Sequence, residues 1–459
     1  MKYCSTRGGV ADLSFVDALL MGLAPDGGLL VPAQLPDVST RLEQWRELDF
    51  VGLAQEVIAL FVDDIDRPTL DRLIAESYAT FNHPEVIGWQ QLDDVAVMEL
   101  FHGPTLAFKD VALQLLGRLF EHVLGERRQH LNILGATSGD TGGAAIAGVR
   151  GQDNIDIFIL FPEGKVSPLQ ELQMTTVTDS NVHCVAVQGS FDDCQSLMKE
   201  IFADLDFKAR YQLGAVNSVN WARVMAQIVY YGYASLRFET PPAFCVPTGN
   251  FGNVFAAFLA KKMGFPIDRL LVATNENDIL ARFFATGEYA RGDVHFTLSP
   301  AMDIQVASNF ERFLYYYFDK DTARLKDFMQ AFSSTGEASL GGGPPDADFM
   351  QATAVNTEQT LAAVKHVYEQ FNYVLDPHTA VGYAACEVFR QTVHAPLVCV
   401  ATAHPAKFPD AVHQAAPDAL ARHPSLDALA GLPSNKQVIP ATIEAVKQVI
   451  SEQAQARSV

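Results

Sequence analysis

The stretch Leu131-Asn132-Ile133-Leu134-Gly135-Ala136 runs directly into Thr137-Ser138-Gly139-Asp140-Thr141-Gly142-Gly143 and then into an alanine-rich segment. A short apolar run bounded by turn residues reads as a buried strand, and the alanines beyond the glycines favour a helix. Strand, polar loop and helix in that order form the repeating unit of a parallel sheet. The unit recurs on both sides. Val95-Ala96-Val97-Met98-Glu99-Leu100 precedes a helix predicted over 111–124, and residues 155–161 and 182–187 supply two more strands. Phe244-Cys245-Val246 leads through Pro247-Thr248-Gly249-Asn250-Phe251-Gly252-Asn253 to a helix predicted over 254–263, and 397–401 is a late buried strand. The fold class is α/β.

At 459 residues the chain exceeds one compact core, and two or three domains are expected. Residues 1–94 differ in texture, with helical signals broken at Pro25-Asp26-Gly27-Gly28 and at Pro32 and Pro36; they read as an N-terminal extension or small, mostly helical domain. A second helical tract over about 310–371 is interrupted by Leu340-Gly341-Gly342-Gly343-Pro344-Pro345, which cannot continue a helix, and reads as an insertion on the α/β core.

Hydrophobic residues make up 49% and charged residues 19%, the profile of a globular protein. The formal charge of −21, from 54 acidic against 33 basic residues, would repel a phosphate backbone and argues against nucleic acid. An anionic substrate would therefore need a local concentration of cations. No apolar segment has the form of a signal peptide or the length of a membrane span, so the expected compartment is the cytoplasm, with no membrane partner. Cys4, Cys184, Cys194, Cys245, Cys386 and Cys399 are scattered without a C-x-x-C pair and read as reduced, mostly buried apolar side chains.

Five segments have the residue types of a chemical site. In Phe101-His102-Gly103-Pro104-Thr105-Leu106-Ala107-Phe108-Lys109-Asp110, a lysine follows a strand and opens a helix, where partial desolvation would disfavour its charged form and leave a nucleophilic amine. On this decapeptide alone the commoner outcome is a solvated lysine. The loop 247–253 offers glycines, amides and a helix N-terminus, the parts of a phosphate cup, although an ordinary tight turn would look similar. The 136–143 loop offers Ser138 and Thr141 to a carboxylate, while Ser138 or Asp140 would equally serve as an N-cap. Asn217-Ser218-Val219-Asn220-Trp221-Ala222-Arg223 gathers amides, a hydroxyl and a guanidinium at a helix start, and Lys165 follows another strand. Asp376-Pro377-His378-Thr379 turns into a helix; His378 has no second ligand at metal spacing, so no metal site is expected.

In this order, together with Ser5-Thr6-Arg7-Gly8, Pro25-Asp26-Gly27-Gly28-Leu29 and Ala403-His404-Pro405-Ala406-Lys407-Phe408, these segments resemble the threonine synthases. That family of pyridoxal-phosphate (PLP) enzymes shares the tryptophan-synthase-β fold, PLP fold type II. The long helical tract and the Asp-Gly-Gly-Leu segment are similar to its larger, bacterial-and-fungal-type branch. The resemblance implies two open, mostly parallel-sheet domains with PLP in the cleft between them: 95–240 carrying the PLP lysine and substrate site, and 241–459 binding the PLP phosphate. It further implies that Lys109 holds PLP as a Schiff base, that Gly249, Asn250, Phe251, Gly252 and Asn253 bind the cofactor phosphate, and that Thr379 faces the ring nitrogen. Ser138 and Thr141 would take the substrate carboxylate. Ser218, Asn220, Arg223 and Lys165 would take the phosphate of O-phospho-L-homoserine, which would be converted with water to L-threonine and phosphate. A monomer or homodimer is expected. Asp140 stands where many enzymes of this fold carry Asn beside the ring hydroxyl, and a carboxylate there would disfavour the ring phenolate unless one group keeps a proton. Competing readings are a threonine- or serine-dehydratase-like lyase of the same fold and a non-catalytic binding protein.

Overall fold

The computed structural model describes residues 1–215, 217–345 and 349–456. Two sheets dominate. The larger has the strand order Met350–Ala354, Leu270–Thr274, Ala243–Pro247, Leu397–Ala401, Val95–Glu99 and Gly88–Leu92. All neighbours are parallel except the last pair, which is an antiparallel hairpin. The smaller runs Gln437–Pro440, Val182–Gln188, Ile155–Pro162, Leu131–Ala136 and Leu213–Gly214, all parallel. Four inner strands, Ile155–Pro162, Ala243–Pro247, Leu270–Thr274 and Leu397–Ala401, are buried along their whole length, as parallel strands covered by helices on both faces are.

Sheet membership does not follow the expected boundary at 240/241. Val95–Glu99 hydrogen-bonds to Leu397–Ala401 in the large sheet, and Gln437–Pro440 returns to pair with Val182–Gln188 in the small one. Each of the segments 95–240 and 241–459 thus lends a strand to the sheet built mainly by the other. The chain crosses between the two sheets more than once, and the loops at their carboxyl ends can meet, the position where open α/β sheets hold ligands.

The N-terminal part contains the helices Phe15–Met21, Leu42–Trp45, Phe50–Ala59 and Arg67–Tyr78, with a small antiparallel ribbon of Tyr3–Ser5 on Leu30–Pro32. Asp49 and Asp66 cap two of these helices through their side chains. The 310–371 tract differs from a helical insertion. After the helices Phe310–Tyr317 and Thr322–Thr335 it supplies Met350–Ala354, an edge strand of the large sheet, and the core-packed helix Thr357–Phe371; residues 346–348 of the tract lie outside the described residues. That strand has a single buried side chain, Met350, so no apolar alternation marks it. The six cysteines are unpaired, five of them buried. Among the described residues no helix is long and apolar enough to cross a membrane, and no group of three or more His, Cys, Asp or Glu side chains could hold a metal ion.

Candidate active site

Lys109 is the first residue of the helix Lys109–Arg127, and only 11% of its side chain is exposed. The loop that presents it is tied to the next strand's end: Phe108 N–H donates to Thr402 O at 2.8 Å, His404 N–H donates to Leu106 O at 3.0 Å, and Ala107 bridges Ala403. Its inner side is braced by Asp110, fully buried, which accepts from Thr105 N at 2.8 Å and from the Thr105 hydroxyl at 2.7 Å. Burial pushes the Asp110 carboxyl up to about 6. The Lys109 ammonium lies 5.0 Å from the Phe108 ring centroid and 3.5 Å from Asp140 Oδ2.

Desolvation lowers the Lys109 pKa. Asp140 opposes that shift, while Lys407 and Arg223 add to it. A lysine so placed loses its proton more readily than a solvated one, which is what a nucleophilic amine requires. Burial alone would raise the Asp140 carboxyl, but Lys407, Lys109 and, at longer range, His378 hold it well below the usual carboxylate range. Asp140 Oδ1 receives Lys407 Nζ at 2.9 Å and Gln170 Nε2 at 2.8 Å. Gly139 makes the Gln170 contact possible: its φ is 148°, and a Cβ there would sit 2.2 Å from Gln170 Oε1. At the start of the Asp140–Val149 helix the Thr137 hydroxyl accepts from Gly142 N–H at 2.9 Å and Gly139 O accepts from the Gly142 and Gly143 N–H groups, which leaves the N–H groups of Asp140 and Thr141 to face an anion. Ser138 is exposed beside it and Thr141 is half-buried.

The 248–253 loop enters the helix Gly252–Lys262 through Phe251, which has left-handed backbone (φ 64°) and leaves that helix N-terminus uncapped as well. The Phe251 ring faces away from the opening, packed on Phe284, Phe310 and Phe313. Asn253 also turns its side chain inward, accepting from the Tyr230 and Tyr231 hydroxyls at 2.5 and 2.6 Å. The cup is therefore built from backbone N–H groups, with Asn250 exposed at its rim. Gly249 is pressed against the 299–303 turn, where a Cβ would meet Ala301 O at 2.5 Å.

Arg223 lies in the first turn of Trp221–Ser235 and is 5% exposed, yet its Nε and Nη1 have no hydrogen-bond partner among the described residues. Burial lowers its pKa to about 10. A buried guanidinium without a counter-ion is costly unless an anion completes it. Ser218 Oγ shares a hydrogen bond of 2.8 Å with Ser308 Oγ, which in turn reaches Asn250 Oδ1 at 3.3 Å, so Ser218 adjoins the 248–253 cup. Asn220 is committed elsewhere: Oδ1 caps Ala222 N at 3.0 Å and Nδ2 donates to Leu19 O at 3.0 Å. Lys165 is exposed, and the charge it acts on is that of Asp193. Thr379 is buried in the first turn of Pro377–Phe389; its hydroxyl donates to Asp376 and accepts from Thr402 N at 3.3 Å. Sequence reading left the roles of Lys407, Gln170, Asp376, Ser308 and Asn309 unassigned. Asn309 Nδ2 stitches the two anion loops, donating to Ser218 O at 3.0 Å and Asn250 O at 3.2 Å.

Three family models match in chain order: threonine synthase N terminus over 2–78, pyridoxal-phosphate dependent enzyme over 91–338, and threonine synthase, C-terminal, over 379–450. The chain is 47% identical to the threonine synthase of Pseudomonas aeruginosa, with 90% of each chain covered. The chain belongs to the threonine synthase family. Membership extends to the whole architecture: PLP-bound threonine synthase from Brucella melitensis superposes with a TM-score of 0.95 at 43% identity, covering 99% of this chain and 100% of that one. The yeast threonine synthase gives 0.93 at 39% identity, with 99% of both chains covered. As a threonine synthase family member the protein is a PLP-dependent lyase of threonine biosynthesis, of fold type II. The residues present fit the cofactor: an amine of lowered basicity, an uncapped helix N-terminus behind a glycine too crowded for a Cβ, and a buried hydroxyl at Thr379.

Proposed function

We propose that the substrate is O-phospho-L-homoserine, converted with water to L-threonine and inorganic phosphate, and that the residues gathered around Lys109 divide the work as follows. The observation that carries this reading is Arg223: a buried guanidinium, electrostatically coupled to Lys109 and with two of its nitrogens unpartnered among the described residues, calls for a second anion besides the cofactor phosphate. A lyase acting on serine or threonine has no side-chain phosphate to offer it.

PLP, when bound on Lys109, supplies an electron sink for negative charge on the carbon next to the substrate nitrogen. The backbone of Gly249, Asn250, Phe251, Gly252 and Asn253 holds its phosphate at the Gly252–Lys262 helix start. Thr379, a neutral hydroxyl hydrogen-bonded to Asp376, would be the residue to face the ring nitrogen. Ser138 and Thr141, with the N–H groups of Asp140 and Thr141 at the start of Asp140–Val149, bind the substrate carboxylate. Arg223, with the Ser218 hydroxyl beside it in sequence, binds the phosphate ester and stabilises the charge that develops as phosphate leaves the γ-carbon. Asn220 positions that segment as its cap, and Lys165 stays outside the set. Lys109, once freed as a neutral amine, removes the α-proton and is the group within reach to move protons at the neighbouring carbons before water adds at the β-carbon.

The test is phosphate release from phosphohomoserine, measured beside borohydride trapping and peptide mass spectrometry. Lys109→Ala is expected to lose both the trapped cofactor and the phosphate release. A reducible link on another lysine, or keto-acid formation from threonine in place of phosphate release by the native enzyme, would overturn the reading.

A further inference from the structure

Lys407 is the most buried lysine that the ion pairs include, with 1% of its side chain exposed, and the proposed roles leave it without one. It sits on the single turn Pro405–Lys407 that follows Leu397–Ala401. Its ammonium donates to Thr105 O at 2.6 Å and pairs with Asp140 Oδ1 at 2.9 Å, while Lys109 approaches the other oxygen, Oδ2, at 3.5 Å. Two ammonium groups therefore share one carboxylate, and the shorter contact belongs to the lysine that does no chemistry. Thr105 is itself fixed by Asp110, and Asp140 by Gln170, so neither end of the Lys407 bridge is free to drift.

We propose that Lys407 is a positioning residue for Lys109: it holds Asp140 as its own counter-ion, so that Lys109 is never needed to neutralise that carboxylate and stays available as an amine. The inference rests on Lys109 being the PLP lysine. Lys109 must give up its charge to act as a nucleophilic amine. A lone buried carboxylate beside it would be left unpaired, and the cost of that would lock Lys109 as an ammonium. With Lys407 in place, Asp140 remains paired whichever state Lys109 adopts. The other charged groups around this point are Arg223 on Trp221–Ser235, whose charge also disfavours a charged Lys109, and Asp110 on the lysine's own helix. His378 on Pro377–Phe389 acts on Asp140 but is itself paired to Asp376 at 2.9 Å. Asp140, which in the sequence looked like an awkward carboxylate beside the cofactor ring, is thereby half of a neutral pair.

The test is a pH titration of the visible absorption of bound PLP in the full-length holoenzyme, which reads the proton on the Lys109–cofactor link without turnover. Lys407→Met is expected to raise the midpoint by at least about one pH unit, a tenfold change in proton affinity, because Asp140 then favours the protonated link. Asp140→Asn, which leaves Lys407 uncompensated, is expected to lower it. An unmoved midpoint in Lys407→Met overturns the proposal. Should that variant fail to fold, Lys407→Gln, which keeps an amide donor for Thr105 O and Asp140 but carries no charge, is titrated in its place: a raised midpoint supports the role, and an unmoved one overturns it. A native enzyme with no chromophore on Lys109 would instead sink the underlying PLP-lysine reading.

Discussion

Arg223 carries a buried charge that no ion pair balances among the described residues, and this separates its contribution to stability from its contribution to binding. Two of its guanidinium nitrogens are buried without a partner, so replacing it by an apolar side chain of similar length removes an unfavourable term. Arg223→Met is therefore expected to unfold at the same denaturant concentration as the native protein or a higher one, with a gain of up to about 1–3 kcal/mol. The same change should weaken competition by inorganic phosphate roughly 10- to 100-fold, the loss of one charge-assisted contact. A variant that is destabilised yet binds phosphate normally would show that Arg223 is structural. Arg223 and Lys109 are candidates in the sequence because each stands at a strand-to-helix junction or helix start, but on its own decapeptide Lys109 reads as a solvated lysine, and the resemblance to the threonine synthases is what singles it out. Lys407, Gln170 and Asp376 could not be picked out, because each acts through a partner distant in the chain or through a loop whose shape only the tertiary fold sets. Asn220 shows the reverse. Its residue type suited a substrate contact, but the helix it caps and the Leu19 carbonyl take up both ends of its amide.

At the scale of elements, legibility followed burial. Leu397–Ala401 is a continuous apolar run and Leu131–Ala136 is mostly apolar with a buried middle, and both were readable to the residue, whereas Met350–Ala354 and Gln437–Pro440 are sheet edges with one buried side chain each. Missing those two edges also hid the crossing of the chain between sheets. The strand-to-helix loop at 248–252 was readable as an anion cup, but the reason it needs glycine at 249 was not, since the obstacle is the Ala301 carbonyl from a turn some fifty residues on. That turn cannot yield cheaply: Asn275 Nδ2 donates to Asp303 Oδ1 at 2.7 Å, and Thr297 donates to the same carboxylate through its hydroxyl at 2.7 Å and its N–H at 2.9 Å. Gly249→Ala is accordingly expected to cost about 1–3 kcal/mol through backbone crowding and to weaken PLP binding by displacing the N–H groups of the cup. Equilibrium dialysis of PLP beside a urea melt checks both. Native affinity at native stability would mean that the turn gives way freely.

At the scale of the whole molecule, the N-terminal region is joined to the site by charge as well as by apolar packing. Arg7 reaches Glu311 with two hydrogen bonds of 3.0 and 2.8 Å, and the Thr6 hydroxyl donates to the same carboxylate at 2.7 Å. The next residue, Arg312, is fully buried; it donates to Leu30 O at 2.8 and 3.1 Å, to Val219 O at 2.6 Å and to Asn309 Oδ1 at 2.5 Å. One guanidinium thus ties the N-terminal ribbon, the segment preceding Arg223 and the residue that stitches the two anion loops. Removing it leaves the Leu30 and Val219 carbonyls unsatisfied, a loss expected at about 3 kcal/mol for Arg312→Met. Because the freed carbonyl at 219 belongs to the segment that presents Ser218 and Arg223, the damage should appear in substrate binding before it appears in chemistry at Lys109. The expected kinetic signature is a KM for phosphohomoserine raised several-fold with kcat changed less, measured at a temperature where the variant is fully folded. If kcat fell while KM held, the N-terminal region would be acting on the lysine side of the cleft, and the route from Arg312 through Val219 to Arg223 would be wrong.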